Sequence, residues 1–368
     1  MSKERKSTYV LGLEGVSSAG GVQEYTKALV AALPDALYRA PHDKNRDLEK
    51  AGLLERGRGH GDWPRSLRVP LFSVSLLAEC TAGRVAALWA AHLNLAPVCH
   101  VLHRLTGVPY AISLHGVEVW RRRQEFESAL RSAKLLLPVS EFTRDTVMRN
   151  WGLPAEKFRV LHDTFDPDRF RTGPRPRFLM DRYKIGASDR VVLTIGRMDS
   201  RERYKGHDQM LEALAPLVKS DRMIKYVIAG TGDDASRLGA KARDLGLESC
   251  VTMAGYVPED ELPDLYRLCD VFAMPSKGEG FGIVYLEALA SGKQVIAGNK
   301  DAGRDALAGG RLGRLVDPDN ITGLSRALSE ALGSRPAPSL REETITMFGP
   351  AVFRSKAREI ADSLVEGV

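Results

Sequence analysis

The sequence has no apolar run of the ~18 residues that a membrane-spanning helix needs, and it is poor in cysteine. Its 368 residues include four cysteines, Cys80, Cys99, Cys250 and Cys269, which lie in apolar stretches and form no CxxC pair. We therefore expect reduced, buried thiols in a cytoplasmic protein and no metal site. The basic start has no long apolar stretch behind it, so a secretory signal is not expected.

Motifs of several protein classes are also absent. The sequence has no Ser-His-Asp spacing, HExxH motif or Walker lysine loop, and no aromatic stripe of the kind that RNA-binding sheets carry. Its 43% hydrophobic and 27% charged residues exclude a disordered, collagen-like or coiled-coil chain. The net charge of +6 is uneven, because the chain up to Met180 has 27 Lys and Arg against 19 Asp and Glu. Composition alone fits either an anionic partner or a solvated surface for this basic half.

Apolar runs of strand length alternate with amphipathic stretches of helix length along most of the chain. The predicted strands are Tyr9–Leu13, Arg68–Ser75, Val85–Ala90, Tyr110–Leu114, Leu135–Val139, Phe158–Leu161, Val191–Ile195, Lys225–Ala229, Cys250–Ala254, Val271–Met274 and Gln294–Ala297. The predicted helices include Val22–Ala32, Glu141–Trp151, His207–Val218, Ala235–Leu245, Glu261–Leu268, Ile283–Ala290 and Ile321–Leu332. This alternation predicts an α/β fold with doubly wound parallel sheets, which bind ligands beyond the carboxyl ends of their strands.

A proline- and arginine-rich segment, Arg171–Arg177, marks the expected boundary between two such domains. Its two prolines and one glycine suit neither a helix nor a sheet. The expected domains are residues 1–170 and 178–349. The last predicted helix, Pro350–Val365, stands apart from the pattern of the second domain and need not pack on it.

The densest motif is Pro275–Gly282, which follows a predicted strand and runs into a helix carrying Glu287. Its glycines let a ligand approach the backbone, and the new helix offers unpaired N–H groups. Glu279 lies at the mouth of the strand, and Glu287 follows about two helical turns later. Two carboxylates at one site suit sugar hydroxyls, because an ionised carboxylate only accepts hydrogen bonds. The plainer alternative is an acid favoured by the helix dipole and a solvated Glu287.

A second motif, Gly196–Gly206, also joins a strand to a helix. Arg197 and Lys205 suit a diphosphate, the arginine as a planar fork and the lysine as a mobile point charge. The alternative is a charged surface loop, since Arg201 and Arg203 lie in the same stretch.

Three shorter signals are weaker by themselves. The double glycine Gly20-Gly21 opens a helix and forms either a phosphate cradle or a flexible turn. His115 follows a strand, where it either bonds a substrate hydroxyl or serves as a structural histidine. Gly230–Ala235 fits the dinucleotide fingerprint, but no carboxylate ends the next strand, so a nicotinamide site is not expected.

Taken in chain order, these motifs resemble the GT-B glycosyltransferases, specifically family 4 of the retaining sugar-nucleotide enzymes. The most specific element is the E-x7-E spacing of Glu279 and Glu287. Supporting elements are GR…YKGHD at Gly196–Asp208, AGTGDD at Ala229–Asp234, GGV at Gly20–Val22 and HGVE from His115. The resemblance covers nearly the whole chain. It implies two Rossmann-like, doubly wound domains facing a central cleft, with the C-terminal helix of residues 350–368 packing back onto the first.

The resemblance also implies a role for each motif residue. Catalytic roles fall to Glu279 and to His115, which is expected on the acceptor side. The donor diphosphate is assigned to Arg197, Lys205, Gly20 and Gly21, the donor sugar to Gly280, Phe281 and Gly282, and the nucleoside to Glu287 and Val257. No metal and no cofactor are expected, because the two cations stabilise the leaving diphosphate in place of a metal ion.

The expected function is retaining transfer of a hexosyl group from a nucleotide-diphosphate sugar to a hydroxyl of a glycan, lipid-linked or small-molecule acceptor. The alternatives are a sugar-nucleotide epimerase of the same architecture and a non-catalytic protein that binds sugar nucleotides or glycans. The expected location is cytoplasmic, and nucleic acid is not an expected partner. The basic first half, with Arg121–Arg123, supports the hypothesis of peripheral contact with an anionic inner membrane face.

Overall fold

The computed structural model describes residues 6–15, 20–53 and 55–366. The chain divides into two units, of which the first contains Met1–Thr164 and Pro350–Val368 and the second contains Phe165–Gly349. Within the described residues, each unit holds a six-stranded sheet whose paired strands all run parallel.

The sheet of the first unit has the strand order β3-β2-β1-β4-β5-β6. Its strands are β1 Ser7–Leu11, β2 Leu37–Ala40, β3 Gly57–Gly59, β4 Val85–Ala90, β5 Tyr110–Leu114 and β6 Leu135–Pro138. The α-helices are α1 Gly21–Ala32, α2 Asn45–Lys50, α3 Arg65–Thr81, α4 Ala96–Thr106, α5 Val117–Trp120, α6 Gln124–Ser132 and α7 Glu141–Trp151, with short 3₁₀ helices at Leu93–Leu95 and Ala155–Lys157. The order reverses between β1 and β4, which makes the sheet doubly wound.

The second unit repeats this arrangement with the strand order β12-β11-β10-β7-β8-β9. Its strands are β7 Arg190–Ile195, β8 Ile224–Ala229, β9 Val251–Gly255, β10 Val271–Met274, β11 Gln294–Gly298 and β12 Arg314–Val316. Its α-helices are α8 Arg177–Tyr183, α9 His207–Ser220, α10 Ala235–Asp244, α11 Leu262–Leu268, α12 Ile283–Ala290, α13 Gly303–Ala306, α14 Ile321–Leu332 and α15 Leu340–Phe348, with 3₁₀ helices at Ser200–Lys205, Glu259–Glu261 and Ala308–Gly310. Here the order reverses between β7 and β10.

The last helix, α16 (Pro350–Val365), packs against the first unit. The ring of Phe353 meets the ring of Tyr25 on α1 edge to face, with centroids 5.7 Å apart. Arg358 donates from Nε to the carbonyl of Ala32 at the end of α1, over 3.2 Å.

Apolar residues dominate the strands because helices cover the sheets. In the first unit Leu88 on β4, Ile112 on β5 and Leu136 on β6 are fully buried in one core cluster with Phe72 of α3. Parallel strands buried on both faces read as near-continuous apolar runs, as these do. Polar groups that act on a ligand are consequently left to the loops at the strand ends.

Eight of the eleven predicted strands coincide with observed strands to within one residue at each end, and the predicted Tyr9–Leu13 overlaps β1. The predicted strand Arg68–Ser75 is wrong, because that run lies inside α3. A continuous apolar run does not separate a strand from a buried helix, and here the helix formed. The predicted strand Phe158–Leu161 is also wrong, since Phe158 forms only an isolated bridge with Leu136.

Three observed strands lie outside the predicted set, namely β2, β3 and β12. β3 consists of Gly57, Arg58 and Gly59, which have no strand propensity, so only pairing with β2 makes it a strand.

The proline-rich segment at 171–177 is anchored within the second unit. Arg175 pairs with Asp270 over 2.5 Å, and Arg341 on α15 donates to the carbonyls of Pro167 and Phe170, each over 2.6 Å. The second unit therefore begins before this segment, at Phe165. Among the described residues, no helix is both long enough and apolar enough to cross a membrane.

Candidate active site

The two densest sequence motifs lie together in the second unit. The loop after β7 carries Arg197 and Lys205, and the loop after β10 carries Glu279. Because β7 and β10 are parallel neighbours at the point where the strand order reverses, their carboxyl ends open onto one place. This is where a doubly wound sheet binds its ligand.

Lys205 and Glu279 form a direct ion pair between these two loops. Their side chains are only 13% and 16% exposed, so the pair is largely shielded from water. Burial by itself lowers the pKa of Lys205, but the charge and the hydrogen bond of Glu279 outweigh it and the net pKa shift is upward. The lysine therefore remains an ammonium ion at neutral pH, as a group that binds a diphosphate must.

The backbone of Glu279 is held by Asp301, which follows β11. One carboxylate oxygen of Asp301 accepts from the backbone N–H of Glu279 over 2.7 Å, and the other accepts from the N–H of Gly303 over 2.9 Å. Asp301 is fully buried, and burial raises its pKa to about 7. Asp301 was not predicted from the sequence, although an acid four residues after a predicted strand was a visible signal.

Two glycines allow the loops to approach closely. Gly206 has φ +85°, and a Cβ there would lie 2.5 Å from the carbonyl oxygen of Pro275. A Cβ on Gly278 would lie 2.6 Å from the ring of Tyr204. Both positions need glycine for the loops carrying Lys205 and Glu279 to meet.

Arg197 does not join the ion pair. Its side chain is 72% exposed and its guanidinium pairs with Glu202 within the same loop. The two cations that were predicted to bind the diphosphate therefore lie in one loop. The lysine contacts Glu279, and the arginine is mostly exposed to solvent.

The AGTGDD segment braces the Arg197–Lys205 loop. Asp233 accepts from the backbone N–H and from the hydroxyl of Ser200, each over 2.7 Å. Met198 donates its N–H to the carbonyl of Thr231 over 2.9 Å, and a Cβ on Gly232 would lie 1.9 Å from the carbonyl oxygen of Met198. The segment that mimics a dinucleotide fingerprint thus positions the neighbouring loop.

The remaining predicted residues of the second unit take separate positions. Glu287 on α12 accepts from the hydroxyl of Tyr266 over 2.6 Å, and Tyr266 was not predicted from the sequence. Phe281 buries its ring against Phe348, with centroids 5.6 Å apart, so its backbone rather than its side chain is available to a sugar. Gly280, Gly282 and, after β9, Val257 are half-buried.

In the first unit the predicted residues lie after β1 and β5, two strands that flank β4 in the sheet. Gly20 and Gly21 open α1, while Ala19 before them lies outside the described residues. His115 follows β5, and its ring meets that of Tyr25 on α1 edge to face at 4.9 Å. The structure therefore brings the glycine-led helix and the histidine together.

His115 is held as a neutral imidazole. Burial lowers its pKa to about 4, although a hydrogen bond with the carbonyl of Ala91, 2.7 Å from Nε2, acts to raise it. A carbonyl only accepts, so Nε2 carries the hydrogen and Nδ1 keeps its lone pair. The ring of His92, another residue missed from the sequence, stacks on that of His115 at 5.9 Å.

Two further observations concern metal ligands and thiols. Among the described residues, no group of three or more His, Cys, Asp or Glu side chains is arranged to hold a metal ion. The four cysteines are buried and free, as predicted.

Comparison with known proteins decides the family. The model of "Glycosyltransferase Family 4" matches residues 19–169, and that of "Glycosyl transferases group 1" matches residues 177–346. Over 332 residues the chain is 30% identical to the GDP-mannose-dependent alpha-(1-6)-phosphatidylinositol monomannoside mannosyltransferase of Mycolicibacterium smegmatis, an alignment that covers 85% of this chain and 86% of that protein. The chain belongs to the family 4-like glycosyltransferases.

Further similarities agree with this family. This glycosyltransferase is 27% identical to the alpha-D-kanosaminyltransferase of Streptomyces kanamyceticus, over 73% of this chain and 72% of that protein. Two solved structures share the fold. The Anabaena protein HepE in complex with UDP and glucose has a TM-score of 0.79 at 20% identity and covers 98% of this chain and 100% of its own. Sucrose-phosphate synthase of Thermosynechococcus elongatus has a TM-score of 0.78 at 18% identity, with coverage of 99% and 100%.

These findings confirm two predictions made from the sequence. The fold is the two-domain α/β architecture of GT-B enzymes, and the protein is a glycosyltransferase that uses a nucleotide-sugar donor.

Proposed function

We propose that this glycosyltransferase is a retaining, metal-independent hexosyltransferase whose donor site is built around Lys205 and Glu279. The observation that carries the proposal is the shielded ion pair between these residues at the reversal of the second sheet. Breaking a sugar–phosphate bond leaves negative charge on the diphosphate. A preorganised ammonium stabilises that charge without a metal ion.

Each predicted site residue of the second unit has a proposed role. Lys205 and Arg197 bind the diphosphate, and a rotation of the exposed Arg197 away from Glu202 brings its fork to the phosphate oxygens. Glu279 holds the lysine in place and accepts from hydroxyls of the donor sugar, which also bonds the backbone at Gly280, Phe281 and Gly282. Glu287 accepts from the ribose hydroxyls, and Val257 borders the base.

The proposed roles in the first unit concern the diphosphate and the reacting hydroxyls. Gly20 and Gly21 offer backbone N–H groups to the diphosphate at the start of α1. His115, neutral at physiological pH, accepts a hydrogen bond from a sugar hydroxyl through Nδ1 and so orients it. In a retaining transfer without a covalent intermediate, the acceptor attacks from the face that the diphosphate leaves, and the leaving phosphate takes the proton of the acceptor hydroxyl.

GDP-mannose is the first donor to test, and a lipid-linked glycan is the first acceptor. Support comes from the mycobacterial relative, whose name states both a GDP-mannose donor and a phosphatidylinositol mannoside acceptor. Four free, buried thiols fit a reducing compartment, so we place the reaction on the cytoplasmic side of the membrane.

The test incubates the purified protein with GDP-mannose or UDP-glucose, with and without acceptor lipids and with and without EDTA. Transfer that survives EDTA and gives a product with the donor's anomeric configuration by NMR supports the proposal. An inverted product contradicts retention, and loss of activity in EDTA contradicts metal independence. Sugar interconversion without an acceptor would indicate the epimerase alternative.

Two substitutions test the site itself. Glu279→Ala should abolish transfer while calorimetric binding of the free nucleotide persists. Lys205→Ala should weaken binding of the nucleoside diphosphate about 10- to 100-fold, because a charge-assisted hydrogen bond contributes about 1.5–3 kcal/mol. The matched controls are Glu212→Ala, which removes a carboxylate that also pairs with a lysine, Lys241, and Lys219→Ala on the exposed end of α9. Site variants that behave like these controls would refute the assignment.

A further inference from the structure

Helix α3 is apolar on the side that faces solvent as well as on the side that faces the core. Its buried side carries Phe72, Leu76 and Cys80. On the opposite side Leu67 is 46% exposed and Val74 is 65% exposed. A helix at the surface of a globular protein normally turns polar side chains to solvent, so an apolar outer side on α3 indicates a binding surface.

The outer apolar stripe is continuous along α3 and extends to its neighbour. Residues at helical spacing on the outer side are Leu67, Leu71, Val74 and Ala78. Helix α4 packs beside α3. Six of the ten exposed large apolar side chains among the described residues belong to these two helices or directly precede α3: Trp63, Leu67, Val69, Val74, Val101 and Leu105. We call this set the α3–α4 surface.

The charge around the α3–α4 surface is positive. Between residues 56 and 106 the sequence has six arginines but only two carboxylates, Asp62 and Glu79. Glu79 pairs with Arg39 in a largely buried bridge, so α3 presents no acid on its outer side. Arg65, at the start of α3, and Arg104, on α4, are both exposed.

The arginine triplet at 121–123 should attract an anionic membrane less strongly than its sequence indicates. Arg122 pairs with Glu127 over 2.6 Å, and Arg123 pairs with Glu125 over 2.5 Å. Two acids of α6 thus offset the charge on which the membrane hypothesis of the sequence analysis depended. In the first unit, α3 and α4 carry the excess positive charge that lies beside exposed apolar side chains.

We propose that the α3–α4 surface docks on an anionic lipid bilayer, with the apolar stripe in the interface and the arginines at the headgroups. Such a combination of apolar face and cationic flank is the physical requirement for interfacial binding. A second copy of this chain fits less well, because a symmetric contact would bring the arginines of both copies together. The proposal deepens the proposed function, since a lipid-linked acceptor has to be reached at a membrane surface.

The test is flotation of the full-length protein with phosphatidylcholine vesicles, with and without phosphatidylglycerol. Wild type should bind only the vesicles containing phosphatidylglycerol, and added salt should weaken the binding. Leu67→Ser/Val74→Ser should lower the vesicle affinity about 100-fold or more, because the two side chains contribute about 1.5 kcal/mol or more each when they are buried in the bilayer interface. Arg65→Ala/Arg104→Ala should lower it about 30-fold, since each basic residue contributes about 1 kcal/mol.

Matched controls change similar groups elsewhere. Phe178→Ser/Met223→Ser removes two exposed apolar side chains of the second unit, and Arg122→Ala/Arg123→Ala removes paired arginines. Both controls should retain most of the binding. All variants should keep wild-type circular dichroism and bind free GDP or UDP equally in calorimetry. Nucleotide binding separates a failure of docking from a failure of the proposed function.

Three outcomes would overturn the proposal. The first is wild type that ignores anionic vesicles, and the second is a Leu67→Ser/Val74→Ser variant that binds as well as its control. The third is a dimer of the wild-type protein in sedimentation without lipid that is lost in the Leu67→Ser/Val74→Ser variant. That result would show that the surface binds a second copy of the chain.

Discussion

Asp301 illustrates how one buried side chain controls a site that it need not touch. Its two oxygens accept from the N–H groups of Glu279 and Gly303, and together these bonds fix the turn on which Glu279 stands. Both bonds are strongest with an ionised carboxylate. Burial nevertheless raises the pKa of Asp301 to about 7, so its ionisation changes within the physiological range.

Replacing Asp301 should therefore alter the pH dependence of transfer. In wild type we expect kcat to rise with pH through about 7, as Asp301 loses its proton and accepts both bonds fully. In Asp301→Asn the amide presents an N–H₂ group to one of the two donors, so we expect kcat to fall about tenfold, the cost of one lost hydrogen bond to a charged group. The rise of kcat near pH 7 should disappear. Nucleotide affinity should change little.

The matched control is Asp319→Asn, which removes an exposed carboxylate of the same unit that pairs with Lys277 and Lys300. It should keep both the rate and the pH profile of wild type. If Asp301→Asn keeps the wild-type rise of kcat near pH 7, another group titrates there and Asp301 is not the positioning residue.

Among the elements, the loop between β7 and α9 depends on the loop between β8 and α10. Ser200 donates its N–H to Asp233, and Met198 donates its N–H to the carbonyl of Thr231. Together these bonds hold the stretch that carries the two cations predicted to bind the diphosphate. Gly232 is the closest point, where a Cβ would lie 1.9 Å from the carbonyl oxygen of Met198. The two loops consequently function as one element.

Gly232→Ala should separate these loops. We expect a loss of about 1–3 kcal/mol in the free energy of unfolding, typical of overpacking, and weaker binding of the nucleoside diphosphate as Lys205 moves. Urea denaturation and calorimetry measure the two effects.

The control is Gly239→Ala on α10, where the nearest atom to the new Cβ is an arginine nitrogen 4.0 Å away. A glycine within a helix costs about 1 kcal/mol relative to alanine, so this control should be neutral or slightly stabilising. Equal behaviour of the two variants would contradict the bracing role of Gly232.

At the scale of the whole molecule, the two units should respond differently to acid. Burial lowers the pKa values of His92 and His115 in the first unit and of His207 in the second, each to about 4. Such histidines are neutral when folded and take up protons when unfolded, so acid below their ordinary pKa of 6.5 favours unfolding. In the second unit Asp301, with its raised pKa, binds a proton more readily when folded and opposes this effect.

Between about pH 6.5 and pH 5 the first unit should therefore lose stability while the second changes less. The expected loss is on the order of 2 kcal/mol per histidine at pH 5. Tryptophan fluorescence reports the first unit selectively, because all four tryptophans, Trp63, Trp89, Trp120 and Trp151, precede Thr164. Urea unfolding followed by fluorescence should shift to lower urea at pH 5 more than unfolding followed by far-UV circular dichroism.

The control for this prediction is a repeat at pH 7.5 and pH 8.5, where none of these histidines titrates and the two probes should keep their relative midpoints. Equal acid shifts of both probes would contradict the assignment of the effect to the first unit.

Local pattern in the sequence determined much of the architecture. The short apolar runs Val85–Ala90, Tyr110–Leu114 and Val271–Met274 form strands at those residues, as expected of parallel strands that are buried on both faces. The loops after such strands were the right places to look, since the chemistry of a parallel sheet lies at its carboxyl edge. The motifs in those loops, through their resemblance to family 4, predicted a glycosyltransferase.

Tertiary structure decided what depends on contacts between distant residues. The ion pair of Lys205 and Glu279 joins positions 74 residues apart, and Asp301 reaches Glu279 only because β10 and β11 are neighbours. The run Arg68–Ser75 could form a strand or a helix by composition, and only its packing on the sheet made it α3 and left its second apolar side exposed. Short-range pattern reports which residues prefer burial, whereas partners and exposed faces are set by the long-range pairing of the strands.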